Sequence, residues 1–152
     1  MKKLTALLLT LSLALSLAAC GGKSRSVTYT MEQENQGLKM TDTMKLDAKG
    51  DLVQQMDETI TLDMAAFDED TQTLMTKSYD ALVESYQAVE GVECTGTVAD
   101  SVYTIQITID TTGDAVSELA DQGLLKVDGD TNGISLEKTG ESLTANGYTK
   151  AE

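Results

Sequence analysis

Two different spacings of apolar residues divide this chain and predict its elements. From Val27 the pattern alternates, and Val27-Thr28-Tyr29-Thr30-Met31 reads as a strand with one face buried. Gln36-Gly37 supplies a turn, after which Leu38, Met40, Met44 and Leu46 share one face of a second strand. Ala48-Lys49-Gly50-Asp51 makes the next turn, and Leu52, Met56, Ile60 and Leu62 lie on one face of a third strand. Short turns between long strands imply antiparallel hairpins. The spacing then changes. Met75, Tyr79, Leu82, Tyr86 and Val89 recur at intervals of four and three residues, the stripe of a helix of about five turns. Asp68, Glu69 and Asp70 stand at its positive end and Gly91 stops it. Alternation resumes in a strand from Val92 to Val98, a turn at Ala99-Asp100-Ser101 and a strand from Val102 to Asp110. Asp114 is expected to cap a short helix carrying Val116, Leu119 and Ala120 and ended by Gly123. A last helix is expected from Ser135 to Asn146, capped by Ser135, closed by Gly147 and weakened by Gly140. Strands followed by a helix, twice over, predict an α+β domain with helices on one face of a mostly antiparallel sheet.

The first twenty residues follow neither pattern. Lys2 and Lys3 open an uncharged run from Leu4 to Ala19 that is short for a membrane span and has the form of a secretory signal. Leu17-Ala18-Ala19-Cys20, followed by Gly21-Gly22, resembles the lipobox of bacterial lipoproteins. In that class the signal is cut before the cysteine, whose thiol receives a diacylglycerol. The chain then divides into a signal peptide (1–19), the lipidated Cys20 with a short tether (20–26) and one domain (27–152). The resemblance implies a lipid-anchored protein on the extracytoplasmic face of the cell membrane, with the bilayer as its first partner. Gly21 to Ser26 span about 20 Å when fully extended, so the domain stays close to the bilayer. Two acyl chains anchor stably where one is marginal.

Charge and composition narrow the function. The chain has 152 residues and a formal charge of −14, and loss of residues 1–19 removes Lys2 and Lys3 and no acid, giving −16. That balance opposes nucleic-acid binding and opposes the domain lying flat on an anionic membrane. Lys23 and Arg25, beside the anchor, are the exception. With Cys20 acylated, Cys94 has no disulfide partner and reads as a small buried hydrophobe in a strand. The chain has no His, which excludes His-based triads, Cys–His pairs and the usual zinc sites. It has no glycine-rich phosphate loop either.

Three constellations remain. Asp128-Gly129-Asp130-Thr131-Asn132-Gly133 matches the first half of a calcium loop, with Asp128, Asp130 and Asn132 as candidate ligands. Thr139 stands where that motif expects a bidentate Glu, and Asp, Asn and Gly also simply make turns. Met31, Met40, Met44 and Met56 offer thioethers of the kind that bind Cu(I), on the face expected to be core. Tyr79 and Tyr86 have the positions of groove-lining aromatics and also the spacing of helix core.

The order of elements resembles the YehR-like family of small bacterial lipoproteins. The features that match are the lipobox, three strands and the long amphipathic helix, then Gly91-Val92-Glu93 opening a hairpin into Tyr103-Thr104-Ile105-Gln106-Ile107-Thr108-Ile109-Asp110, and a helix after Gly133-Ile134 closing in Asn146-Gly147-Tyr148-Thr149-Lys150. The resemblance covers the mature chain. It implies a two-layer sandwich, makes 128–133 a loop leading into the last helix, and brings no catalytic residues with it. The expected function is a non-catalytic binding or interaction module, acting on a small ligand between sheet and helices or on another envelope protein. A cation-binding lipoprotein using the acidic loop is the alternative, with a carboxylate-based hydrolase behind it. Cys20→Ala is expected to abolish labelling by palmitate and to leave a precursor that still carries residues 1–19, as read by mass spectrometry.

Overall fold

The computed structural model describes residues 22–128 and 133–151, together with the backbone of residues 12–14. A three-residue strand, β1 (Ser12–Ala14), pairs in parallel with β7 (Lys126–Asp128) and falls in the segment assigned above to the signal. The main sheet opens with three strands of twelve residues, β2 (Ser24–Asn35), β3 (Leu38–Lys49) and β4 (Leu52–Asp63). α1 (Glu69–Gln87) follows, then β5 (Val92–Ala99) and β6 (Val102–Asp110). α2 (Ala115–Asp121) leads through β7 toward β8 (Ile134–Ser135), α3 (Leu136–Ala145) and β9 (Thr149–Lys150). The sheet of seven strands runs β5-β6-β4-β3-β2-β9, with β8 beside the start of β4, and every pairing in it is antiparallel. The expected α+β class and two-layer packing are what the structure shows.

Alternation does the work of the fold. The inner face of the sheet reads, strand by strand across β2, β3, β4, β6 and β5, as Val27–Leu46–Met56–Ile109–Val92, then Tyr29–Met44–Glu58–Ile107–Cys94, then Met31–Asp42–Ile60–Ile105–Gly96. α1 packs on β5 and β6 through Val83 and Tyr86, with Val89 buried just past its end, and Tyr79 lies against Tyr103 with ring centroids 5.2 Å apart. α3 covers β2 through Leu136, Thr139, Gly140 and Leu143. Its start is fastened to the β3–β4 turn: Asp51 accepts from the Ser135 hydroxyl at 2.6 Å and from the Glu137 amide at 2.9 Å, and its carbonyl accepts from the Leu136 amide at 2.8 Å.

The caps expected at Asp68 and Ser135 form: the Asp68 carboxylate accepts from the Thr71 amide at 2.8 Å, and the Ser135 hydroxyl accepts from the Lys138 amide at 3.2 Å. Asp114 precedes α2 but makes no side-chain cap, because its own backbone is already helical. In β4 the buried residue is Val53, with Leu52 half-buried, the reverse of the expected phase. A bulge sets this: Asp47 pairs with Gln55 and Ala48 with Val53, leaving Gln54 over, and Thr111 takes the exposed carbonyls of Val53 and Gln54. Pairing in β2 begins at Ser24, three residues before the alternating pattern is evident, because polar Ser24, Arg25 and Ser26 give no periodicity to read.

Gly140 has a packing role rather than a weakening one. The Tyr29 ring lies so close to its Cα that a side chain there would collide with the hydroxyl. Gly96 leaves the same room for Tyr103, whose hydroxyl then donates to Asp80 at 2.5 Å. Gly140→Ala is expected to destabilise the domain by about 1–3 kcal/mol in urea unfolding. This holds although Ala is about 1 kcal/mol better than Gly inside a helix. In a Tyr29→Phe background the same change is expected to be neutral or stabilising.

Candidate functional site

Two acids interrupt the apolar stripes of the inner face. Asp42 stands between Met40 and Met44 in β3, and Glu58 between Met56 and Ile60 in β4. Asp42 pairs across with Ile60 and Glu58 with Met44, so the two carboxyls are diagonal neighbours on one face. Asp42 is 0% exposed and Glu58 6%. Tyr148, between α3 and β9, donates its hydroxyl to Asp42 Oδ2 at 2.5 Å.

The two carboxyls are near enough to perturb each other. Asp42 Oδ1 and Glu58 Oε1 have no donor among the other described residues. Two carboxylates this near each other and this buried oppose each other's charge, which favours one proton on the pair. Burial, and then the Asp42 charge, push Glu58 well above the usual carboxylate range, which favours its protonated form. Burial also raises Asp42, opposed by its bond from Tyr148 and by Glu58. The Tyr148 hydroxyl is itself raised, first by burial and then by its bond to Asp42, so it stays a donor. The cluster therefore holds at most one negative charge. Its neighbours are neutral too: burial and the nearby Glu58 raise Tyr86 and push the Cys94 thiol up to about 11, so Cys94 is an inert thiol as expected.

A pair sharing one proton has the chemistry of an acid–base dyad. Here it sits beneath the helical layer, closed to a substrate. What it does is fasten the segment after α3 to the middle of the sheet. The apolar stripes carried the signal for it, as an acid at a position where the two-residue period demands an apolar side chain.

The residues singled out from the sequence lie elsewhere. Leu17, Ala18, Ala19 and Cys20 lie outside the described residues, as do Asp130 and Asn132. The backbone of Asp128 ends β7. Thr139 is buried in the core on α3. Met40, Met44 and Met56 are core, Met31 is half-buried, and no two of the four stand directly opposite each other. Tyr79 packs on Tyr103, and Tyr86 donates to the Leu124 carbonyl at 2.9 Å, so both serve the helix–sheet contact. Among the described residues no group of three or more His, Cys, Asp or Glu is placed to hold a metal ion.

Two surfaces are open. A shallow groove of about 610 Å³ runs beside α3, lined by Tyr29, Glu137, Gly140, Glu141, Thr144 and Lys150 among others. The outer face of the sheet is larger. Its rows read Thr30–Thr43–Thr59–Gln106–Thr95 and Glu32–Thr41–Thr61–Thr104–Thr97 across five strands. The adjoining row carries Lys45 and Asp57, 3.5 Å apart, with Thr108 donating to Asp57 at 2.8 Å. Five strands about 4.8 Å apart make this a platform about 20 Å wide.

The model of the family described as a protein of unknown function, DUF1307, matches residues 25–149, and the chain belongs to that family. The uncharacterized lipoprotein Lmo0207 of Listeria monocytogenes is 28% identical over 149 residues, covering 97% of this chain and 95% of the relative. The NMR structure of the Escherichia coli YehR protein superposes with a TM-score of 0.59 at 20% identity, covering 84% of this chain and 92% of that one. It shares this fold, and the YehR-like resemblance is borne out. The NMR structure of a Streptococcus pneumoniae TIGR4 protein gives a TM-score of 0.49 at 13% identity over 90% of each chain.

The carboxyl cluster sets a pH dependence. Asp42 and Glu58 both have folded-state values above their ordinary 3.8 and 4.5. Their stabilising contribution is complete below those values and is lost as pH rises through the folded-state ones. The melting temperature is expected to fall as pH rises above the ordinary carboxylate range. Glu58→Gln keeps a donor toward Asp42 without a titrating proton, and is expected to flatten that fall. Tyr148→Phe removes a bond to a charged acceptor and is expected to cost about 1.5–3 kcal/mol, more at the alkaline end.

Proposed function

We propose that this protein is a membrane-anchored, extracytoplasmic and non-catalytic interaction module, and that the outer face of its sheet holds another envelope protein. The observation that carries this reading is the pair of threonine-rich rows on that face, whose one charge, Glu32, stands on the outlying strand β2. Eight threonines and Gln106 form a flat, hydroxyl-rich patch with no helix over it, on a chain whose net charge is −14. The exposed side of α1 bears Glu69, Asp70, Asp80 and Glu84 instead, and would repel another acidic surface. Hydroxyls on five rigid strands supply donors and acceptors at fixed spacing and lose little side-chain entropy on contact. The name of the Listeria relative supports placement on a membrane, and the Leu17-Ala18-Ala19-Cys20 sequence supplies the means.

Photocrosslinking in intact cells tests this reading. A photoreactive residue at Thr43 or Thr59, in the middle of the open face, is expected to capture one specific envelope protein. The same residue at Leu74, exposed on α1, is expected to capture none. Capture from Leu74 and not from the sheet, or a measured turnover by the purified protein, would contradict it.

A further inference from the structure

The basic residues of this acidic chain are unevenly placed. After residues 1–19 nine remain, and four of them meet at one corner. Ser24 pairs with Lys49, which sets Lys23 and Arg25 beside the end of β3. The Gly50 amide donates to the Lys23 carbonyl at 3.1 Å, and Arg25 Nε donates to the Gly50 carbonyl at 3.0 Å. Asp51, in the same turn, holds the first turn of α3, which carries Lys138. All four side chains are exposed. The acids at this corner are largely engaged. Asp47 is bound by Lys45 at 2.6 Å. Asp51 caps α3 with Arg25 3.8 Å away. Glu137 is exposed.

The opposite end of the strands has the opposite sign. Glu32, Glu34, Asp63, Asp68, Glu69, Asp70 and Asp100 gather around the β2–β3 turn, the end of β4, the start of α1 and the β5–β6 turn, against Lys39 alone on those strand ends. The bases are thus confined to the corner that carries the tether, while Glu90, Glu93 and Asp110 hold the β5–β6 side of the same end. Only Gly21 and Gly22 separate Cys20 from Lys23, about 10 Å of extended chain.

We infer that the corner formed by Lys23, Arg25, Lys49 and Lys138 docks on the anionic headgroups of the membrane that holds the anchor, so that the β3–β4 turn faces the bilayer and the β2–β3 turn points away from it. The acyl chains supply the affinity and the basic corner supplies the orientation, since anionic lipid attracts that corner and repels the far end. With β2 to β4 in that orientation, the open sheet face looks sideways along the membrane, toward neighbouring envelope proteins. The far turn then stands about 35 Å above the corner. The inference rests on the membrane anchorage proposed above, but not on the partner assigned to the sheet face.

The test uses the lipidated protein reconstituted in vesicles, without any partner protein. A fluorophore is attached at Ser24→Cys or, at the far end, at Asn35→Cys. Of the native cysteines, Cys20 is the acylation site and Cys94 is buried. A headgroup-bound quencher is expected to dim the Ser24 label at least about twofold more in phosphatidylglycerol vesicles than in phosphatidylcholine vesicles. It is expected to leave the Asn35 label untouched, and about 0.5 M salt is expected to erase the lipid difference. Lys49→Glu with Lys138→Glu is expected to abolish the difference, while Lys39→Glu with Lys77→Glu retains it. Equal quenching in both lipids, or an equal effect of the two charge-reversed pairs, would overturn the docking and leave the sheet-face reading standing. Failure of the protein to stay with either vesicle would overturn the anchorage and the docking together.

Discussion

Two carboxyls share one interior, and the rest of the structure is arranged around keeping them there with a single charge at most. Asp42 and Glu58 sit in the middle of the sheet, where an unpaired charge is far costlier than at the surface. The solution is chemical: burial and the Asp42 charge favour the protonated form of Glu58, and Tyr148 donates a hydrogen bond to Asp42. Such a cluster is weak evidence for net stability, since a well-packed apolar pair can do as well. It is stronger evidence for specificity. A slip of β3 against β4 by two residues that sets Asp42 opposite Leu62 keeps every apolar side chain on the correct face, yet separates the diagonal pair. The acids thus penalise an error that the apolar pattern alone permits, and Tyr148 extends the same constraint to the C-terminal segment.

Much of this was legible in the sequence. Alternation located β2 to β6, the four-and-three spacing located α1, and the caps at Asp68 and Ser135 hold as read. What escaped has physical reasons. β7, β8 and β9 are two or three residues long, too short to show a period. The bulge at Gln54 reverses the phase of Leu52 and Val53, and it depends on Thr111 from a distant turn. Gly140 looked like a defect because the ring that needs its space, Tyr29, lies more than a hundred residues away. Asp42 and Glu58 were passed over because a gap in an apolar stripe resembles noise until the neighbouring strand shows a second gap diagonally opposite. The candidate calcium ligands came from a local string whose expected final ligand position, Thr139, folds into the core instead.

The same two-residue period that hides the acids inside creates the face outside. Every inner residue fixes an outer one, and the outer ones are threonines at eight of the ten positions in two rows. Threonine suits a strand, and here it also keeps the broadest open surface free of the negative charge that covers the helices. One face is committed to a sealed core, the other to contact. The basic corner beside the tether then gives the domain a direction relative to a membrane. Fold, charge distribution and tether agree on one arrangement, in which the sheet is a rigid plate set on edge beside the proteins around it.

The claim beneath all of this is that one proton is trapped between Asp42 and Glu58. A carbon-13 NMR titration of the side-chain carboxyls reads it directly. Glu58 is expected to titrate well above the ordinary carboxyl value of 4.5, and the Asp42 signal is expected to move in step with it. Both carboxyls titrating independently near 4, as exposed acids do, would contradict the shared proton and the sealed interior built on it.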